Sequence, residues 1–399
     1  MQVVEFLHNF LKKSIPTIHL KVLNRLVQTA SSLLTNGKLS LTSLGRHTSG
    51  SAFVKHKIKA VDRLLGNERL HQNRLYIYQA LAFKVIGNMT KIDIIVDWSP
   101  AGNRENHMLR ASVAFKDRSI TIYEEVHPEK LLGNYGVHKS FLANLKKVLP
   151  SHVKPVLITD AGFRTEWFEL VLVHGWDFEG RITNNMLYQI DNEDWNPIKS
   201  LFPKATIIPK YIGNILLTKA NEFRCHAYLY HEKIKVKLKK RKMRRGKSPK
   251  NIKQYRAQTL QPWMLVTSLK HMSNNAKKVV RRYTRRMKIE HEFRDTKDRK
   301  WGVGLNDTHT RDPKRLEILL LIGTIAIMML WLLGLAAEYK QLHYQFQANS
   351  VKKHRVLSLI FLGLQIVLHA LDKIRHSDIQ DVFRRVQENE NNFYLAIKC

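Results

Sequence analysis

The spacing of apolar residues changes near residue 90. Before that point apolar positions recur at helical intervals, as at Leu20, Leu23 and Val27, which predicts an all-helical N-terminal region. After it comes a β-branched run at residues 92–97, followed by two more predicted strands at 109–115 and 119–123 with a short turn between them. Three neighbouring runs of this kind are typical of an antiparallel meander of strands.

A regular alternation of helix and strand follows the meander. The pattern predicts a helix over residues 138–149, a strand over 153–160, a helix over 167–174 and a strand over 178–182. This βββαβαβ order predicts an α/β fold with a mixed five-stranded sheet and helices on its faces. Residues 184–272 interrupt the alternation with short apolar runs around a basic stretch.

One long apolar run lies towards the C-terminus. Residues 318–337 are almost uncharged, and a run of that length is able to span a bilayer. A transmembrane helix and a buried core helix both fit it. We favour the core helix, because the chain has a single run of this kind directly behind a charged helix, and because Gly323 and Gly334 suit close packing inside a protein.

Charge changes the picture of what the chain binds. Lys and Arg number 67 against 33 Asp and Glu, which gives a formal net charge of +34 and predicts a polyanionic partner. Nucleic acid and an anionic membrane both satisfy this requirement. Cys225 and Cys399 are the only cysteines, which excludes a disulfide framework and a cysteine-based zinc site and fits a reducing cytosol. No secretory signal is expected at the N-terminus.

Two basic segments are candidates for phosphate contact. The first is a predicted helix with a basic face, and the second is a basic arm over residues 237–250. Their candidate DNA-binding residues are Lys55, Lys57, Lys59 and Arg63 in the helix, and Arg241, Arg244 and Arg245 in the arm. A solvated surface is the alternative for both, and the charge of the whole chain favours DNA.

Two predicted strands end in an aspartate. Asp97 closes the first strand of the meander, and Asp160 closes the strand after the first helix. An aspartate at a turn is common when taken singly. The predicted topology, however, makes the two strands neighbours, and two close carboxylates are unfavourable without a cation between them. A divalent metal is therefore the expected partner of the pair.

A charged segment at residues 283–297 supplies a third carboxylate. At about 100° per residue, a continuous helix would place four of its side chains on one stripe. These are Tyr283, Arg286, Glu290 and Lys297. Glu292 would lie on the opposite side, facing solvent. An ordinary surface helix is the alternative, but an acid among basic residues also fits a face where a metal and an anion bind.

Together, Asp97, Asp160 and Glu290 could hold two Mg²⁺ ions. One ion would activate a water or a 3′-hydroxyl, and the other would stabilise the leaving oxygen of a phosphodiester. The neighbouring Arg286 and Lys297 would bind phosphates.

Three motifs carry a resemblance to a known family. They are Val-Asp-Trp-Ser at residues 96–99, Thr-Asp-Ala-Gly-Phe at 159–163, and the spacing Tyr-x2-Arg-x3-Glu-x6-Lys that begins at Tyr283. The chain closely resembles the DDE transposases of bacterial cut-and-paste insertion sequences, in the group with the Y-R-E-K signature (insertion sequence family four). The likeness extends over nearly the whole chain.

The resemblance implies an RNase H-like catalytic core interrupted by a β-rich insertion. Carried over to this sequence, it implies a DNA-end-binding region at 1–88, the catalytic core at 89–183 and 273–345, the insertion at 184–272 and a C-terminal segment at 346–399 that pairs protomers. It also implies two Mg²⁺ ions per active site, held by Asp97, Asp160 and Glu290, with Mn²⁺ able to substitute. Tyr283, Arg286 and Lys297 would contact phosphate, and Trp263 would stack a flipped base.

The resemblance further implies a reaction and its partners. The enzyme would bind terminal inverted repeats, nick the element ends, form and reopen a hairpin, and join the ends to target DNA. We therefore expect a cytoplasmic, nucleoid-associated bacterial protein, with no membrane role, that forms a homodimer in the synaptic complex. An RNase H-like nuclease without strand transfer and a non-catalytic basic DNA-binding protein are the alternatives.

Overall fold

The protein divides into two compact units. The computed structural model describes residues 1–388 except 36, 103–104, 116–117, 184, 192, 233–260, 271–274, 301 and 352. Unit 1 comprises Met1–Pro155 and Met287–Cys399, and unit 2 comprises Val156–Arg286. Unit 2 is thus one continuous stretch of chain, whereas unit 1 is built from two.

Five helices precede the first strand in unit 1. They are α1 (Gln2–Ser14), α2 (Leu20–Ser31), α3 (Leu41–His47), α4 (Val54–Leu65) and α5 (Glu68–Ile86), with a short 3-10 helix at Ser32–Thr35. Helices α3 and α4 cross closely at Gly45, where an added Cβ would lie 2.6 Å from the Cα of Ile58. The helical N-terminal region predicted from the sequence is confirmed.

Three antiparallel strands follow: β1 (Lys91–Pro100), β2 (Asn106–Ala114) and β3 (Ser119–Pro128). They are the meander that the sequence predicts. The register places Asp97 directly opposite Arg110 on the neighbouring strand. Directly opposite residues of an antiparallel pair project from the same face of the sheet, so these two side chains share a face.

Helices from both segments of unit 1 accompany these strands. They are α6 (Tyr135–Val148), α9 (Met287–Lys297), α10 (Pro313–Tyr339), α11 (Leu359–His369) and α12 (His376–Gln387), with 3-10 turns at Glu129–Leu131, Leu305–Asp307, Leu342–Gln345 and Leu371–Lys373. Asp312 caps α10, because its carboxylate accepts the backbone N–H of Arg315 at 2.8 Å.

The long apolar helix α10 forms the centre of unit 1. It has 27 residues, and its most apolar stretch has a mean hydropathy of 2.7 and is completely buried inside the protein. No other described helix is both long and apolar enough to cross a membrane. Helix α11 packs tightly against it, since a Cβ on Gly334 would lie 2.0 Å from the carbonyl oxygen of Leu359. These contacts agree with the core-helix interpretation.

Unit 2 contains a mixed sheet. Its strands are β4 (Lys154–Thr159, which begins two residues before the unit), β5 (Asp177–Arg181), β6 (Leu187–Gln189), β7 (Asn196–Pro197), β8 (Lys210–Leu217), β9 (Phe223–Tyr230) and β10 (Trp263–Thr267). Helices α7 (Thr165–Val173) and α8 (Asn275–Thr284) and a 3-10 helix at Ile198–Lys204 complete it. Strands β4 and β5 are parallel, and β10 pairs antiparallel with both β5 and β9.

The α/β class with a mixed sheet is confirmed. Strand β10 pairs directly with β5, and the order continues through β9 and β8 to β6 and β7. The strands of the predicted insertion therefore extend the sheet of unit 2. Residues 241, 244 and 245 of the predicted basic arm lie outside the described residues.

Candidate active site

Asp97 is held within β1 and not at its end. The strand runs on to Pro100, three residues further than the sequence predicts. The side chain is 6% exposed, and its Oδ1 accepts the backbone N–H of Trp98 at 2.8 Å. Its carboxylate is therefore oriented by the strand that carries it.

Helix α9 places Glu290 and Lys297 on the same side of unit 1 as Asp97. Glu290 is exposed, and Lys297 follows two helical turns later. The Lys297 ammonium donates to Ser99 Oγ at 2.6 Å, two residues beyond Asp97 on β1. This bond joins the helix with the glutamate to the strand with the aspartate.

The electrostatic environment of Lys297 includes both carboxylates, those of Asp97 and Glu290. Burial, aided by the positive charge of Arg110, lowers the pKa of Lys297 to about 8, while the carboxylates of Glu290 and Asp97 act in the opposite direction. We call Asp97, Glu290 and Lys297 the unit 1 cluster. At neutral pH its lysine remains largely protonated and can bind an anion.

A second cluster lies in unit 2. Asp160 follows β4 immediately, as predicted, and its Oδ1 accepts the backbone N–H of Gly162 at 2.8 Å. Burial raises the pKa of Tyr283 to about 12, opposed by Arg286 and Arg181, with Asp160 adding to the rise. Asp160, Tyr283, Arg286 and Arg181 therefore share one electrostatic environment, and we call them the unit 2 cluster.

Arg181 is a member of that cluster that the sequence did not reveal. It is the last residue of β5, and burial lowers its pKa, with Tyr283 and Asp160 opposing that effect. The only sequence signal was an arginine one residue before the end of the strand predicted over 178–182. Such a residue could have been noted as a candidate for binding an anion at the strand terminus.

The predicted single helix over residues 283–297 is wrong. Helix α8 ends at Thr284 and α9 begins at Met287, with a turn in which the N–H of Arg286 donates to the carbonyl of Tyr283 at 2.9 Å. The Y-R-E-K residues therefore do not form one helical stripe. Tyr283 and Arg286 belong to unit 2, while Glu290 and Lys297 belong to unit 1.

The prediction that Glu292 faces solvent is also wrong. It is 1% exposed, and its carboxylate accepts hydrogen bonds from the hydroxyls of Ser119, at 2.6 Å, and Thr121 on β3. Ile289 and Phe293 mark the buried face of α9, and Glu292 lies between them on that face. The apolar spacing of these two residues could have located it.

Trp263 lies in an aromatic cluster of unit 2. It is partly buried at the start of β10, with its ring centroid 5.2 Å from that of Tyr283 and 5.5 Å from that of Tyr230. Both contacts are edge-to-face, an arrangement that stabilises aromatic packing. Trp263 therefore lies beside Tyr283, and its role in stacking a flipped base stays a prediction.

The predicted basic helix exists as α4. Lys55, Lys59 and Arg63 are exposed on it, and Lys57 is partly exposed. Lys59 forms an ion pair with Asp62 at 2.8 Å, so part of the positive charge of this face is neutralised within the helix. DNA contact by α4 stays a prediction.

The carboxylates suit a hard divalent cation. Asp97 and Glu290 offer only oxygen ligands, which is the donor type that Mg²⁺ prefers, and their charges act on one shared ammonium. Within the part of the chain that the structure describes, no group of three or more metal-binding side chains is assembled. Two of the candidate ligands belong to unit 1 and the third to unit 2.

Comparison with known families decides the class of the protein. A family described as "Transposase DDE domain" matches residues 94–329, which includes both clusters. The chain belongs to this family. Its catalytic domain is accordingly RNase H-like, its partner is DNA, and divalent metal ions are the general cofactors of such enzymes. No curated protein matches the chain.

Proposed function

We propose that the chain is the transposase of a cut-and-paste insertion sequence in the Y-R-E-K group. It would bind the terminal inverted repeats, cleave the ends by metal-dependent hydrolysis and hairpin formation, and join them to target DNA. The observation that supports this most directly is the hydrogen bond from Lys297 to Ser99 Oγ at 2.6 Å, which joins α9, with Glu290, to β1 beside Asp97. Residues from two separate motifs, 190 or so positions apart in sequence, act there on the same ammonium.

Asp97, Asp160 and Glu290 are the proposed ligands of two Mg²⁺ ions, which Mn²⁺ can replace. When bound, such ions lower the pKa of a water or hydroxyl and offset negative charge on the leaving oxygen. Each aspartate is oriented by a hydrogen bond that its carboxylate accepts. Asp97 accepts the backbone N–H of Trp98, and Asp160 accepts the backbone N–H of Gly162. Preorganised ligands of this kind reduce the reorganisation that the reaction requires.

The basic members of the clusters would hold the DNA backbone. Lys297 carries an ammonium that Ser99 orients, and it would bind a phosphate beside Asp97 and Glu290. Arg286 and Tyr283 would contact the strand near Asp160, whose charge acts on the same tyrosine. Trp263, in contact with Tyr283, is the proposed platform for an unstacked base.

The remaining segments have proposed roles outside the chemistry. Residues 1–88, with the basic face of α4, would recognise the element ends, and the basic arm in the insertion at 184–272 would contact DNA phosphates. Residues 346–399 would pair two protomers in the synaptic complex, around the core formed by 89–183 and 273–345. We propose a cytoplasmic, nucleoid-associated location because the substrate is DNA.

Cleavage of the element ends tests the proposal. DNA ending in the inverted repeats that flank the gene should yield nicks and hairpins with Mg²⁺, and joined products with target DNA. Glu290→Gln should abolish every product while leaving DNA binding unchanged, because Glu290 is exposed and the substitution keeps the shape of the side chain. Glu166→Gln, at an exposed position in α7, is the matched control and should behave as wild type.

The other outcomes separate the rival functions. Cleavage without any joined product would indicate a nuclease. Binding that falls steeply with salt, together with no Mg²⁺-dependent product from the wild type, would indicate a non-catalytic DNA-binding protein. Equal activity of Glu290→Gln and wild type would refute the assignment of the carboxylate.

A further inference from the structure

Among the residues of unit 1 that the structure describes, Arg110 is the most deeply buried basic side chain, and it lies next to Asp97. Its side chain is 1% exposed, and the β1–β2 register sets it directly opposite Asp97 on the same face of the strands. A buried guanidinium requires partners for its donors, so the identity of those partners shows what it connects.

The partners lie on two sides. Towards β3, Arg110 donates through Nε to Glu124 at 2.8 Å, and its Nη2 lies 2.7 Å from the same carboxylate oxygen. Towards α9, its Nη1 donates to Thr296 Oγ1 at 2.9 Å and lies 3.9 Å from Glu292, while the guanidinium stacks 5.1 Å above the ring of Phe293. One rigid, planar side chain thus joins the strands to α9.

These contacts fix the register of α9. Beyond Arg110, the helix is held by the Glu292 bonds to Ser119 and Thr121 and by the pair between Asp295 and Arg118 at 2.9 Å. A slide or rotation of α9 would leave buried charged groups without partners, which is costly. Apolar packing alone would tolerate such a shift more readily, because it is not directional.

We propose that Arg110 is a positioning residue that holds α9 at a fixed register against β1, and thereby holds Glu290 at a fixed separation from Asp97. The positioning of α9 by Arg110 is independent of the proposed function. Only its consequence, the spacing of Asp97 and Glu290 as two metal ligands, rests on that function. Groups behind the metal ligands commonly set metal affinity in this way. Arg110 itself touches neither DNA nor metal in this proposal.

Thr296→Val tests it with the smallest change. The substitution preserves the shape of the side chain but removes the acceptor that Arg110 uses on α9, and with it the bond that the Thr296 hydroxyl donates to the Glu292 carbonyl at 3.0 Å within the helix. Thr324→Val is the matched control, because the Thr324 hydroxyl donates to Glu124 at 2.8 Å and so loses an equally buried bond of the same network, on α10. Thr296→Ser keeps the hydroxyl and should restore wild-type behaviour.

Two measurements read the result on the full-length protein. Amide hydrogen exchange should be faster throughout α9 in Thr296→Val and unchanged there in Thr324→Val. The Kd for Mn²⁺, followed by the electron paramagnetic resonance signal of the free ion, should rise roughly tenfold in Thr296→Val alone. Thermal unfolding of each variant shows whether the two have lost similar stability.

Several outcomes overturn the inference. Exchange in α9 that is equal in the two valine variants would mean that Arg110 does not fix the helix. Faster exchange in α9 with an unchanged Kd for Mn²⁺ would mean that the register of α9 does not determine the separation of Asp97 and Glu290 as metal ligands. If the wild type binds no Mn²⁺, the proposed function fails, and the exchange comparison alone decides whether Arg110 holds α9. Should Thr296→Val not fold, Thr296→Ala against Thr296→Ser makes the same comparison.

Discussion

The same substitution at two glutamates of α9, two positions apart, should destabilise the protein at Glu292 and leave its stability nearly unchanged at Glu290. Glu292→Gln removes a buried charge that accepts two hydroxyl hydrogen bonds, from Ser119 and Thr121. The amide oxygen of Gln can accept one of them, while its NH₂ group faces the other hydroxyl. Since a hydrogen bond to a charged group contributes about 1.5–3 kcal/mol, we expect a loss of about 2–3 kcal/mol in the free energy of unfolding.

Glu290→Gln is the internal control for stability. Glu290 is exposed, and substitutions at such positions usually change the free energy of unfolding by no more than about 0.5 kcal/mol. Urea unfolding followed by tryptophan fluorescence measures both variants under one set of conditions. Equal stabilities would refute the burial of Glu292 and the hydrogen bonds assigned to it. A loss in Glu290→Gln as large as that in Glu292→Gln would refute the exposure of Glu290.

Two further predictions concern unit 1. His138 is 6% exposed and accepts a hydrogen bond from Trp98 Nε1, and burial, aided by His127, lowers its pKa to about 4. Because the unfolded chain takes up this proton near pH 6.5, stability is lost as pH falls from 6.5 towards 4, by about 1–2 kcal/mol between pH 7 and pH 5; urea unfolding at both pH values should show a smaller change in His138→Gln. Gly363→Ala would place a Cβ 2.0 Å from the Leu330 carbonyl oxygen and force α10 and α11 apart, costing about 1–3 kcal/mol. Thermal unfolding should show no comparable loss for Gly66→Ala, where the nearest atom is 3.4 Å away.

The sequence was most informative where local pattern decides structure. The change of apolar spacing near residue 90 and the runs that follow it predicted the three strands of the meander, and the uncharged run predicted the buried helix α10. Asp160 was correctly placed directly after its strand. These features depend on residues within a few positions of one another, which periodicity reports.

The sequence was least informative where partners are distant along the chain. Helical periodicity alone predicted one helix through Arg286, because no glycine or proline marks the break between α8 and α9. Glu292 was assigned to solvent because its partners, Ser119 and Thr121, lie some 170 residues earlier. Arg181 was overlooked for the same reason, since only the fold shows its proximity to Tyr283. That the strands of the insertion continue the sheet was not predicted, because the pairing of β10 with β5 is also non-local.

The division of unit 1 into two stretches of chain affects its synthesis. Strands β1–β3 leave the ribosome before all of unit 2, yet the groups that cover them, including Thr296 on α9 and Thr324 on α10, come after it. At about 5–20 residues per second, roughly 8–30 s separate Pro128 from Met287 during translation. A nascent chain stalled at Arg286 should therefore be cut by protease within β1–β3, whereas the released full-length protein should resist cleavage there.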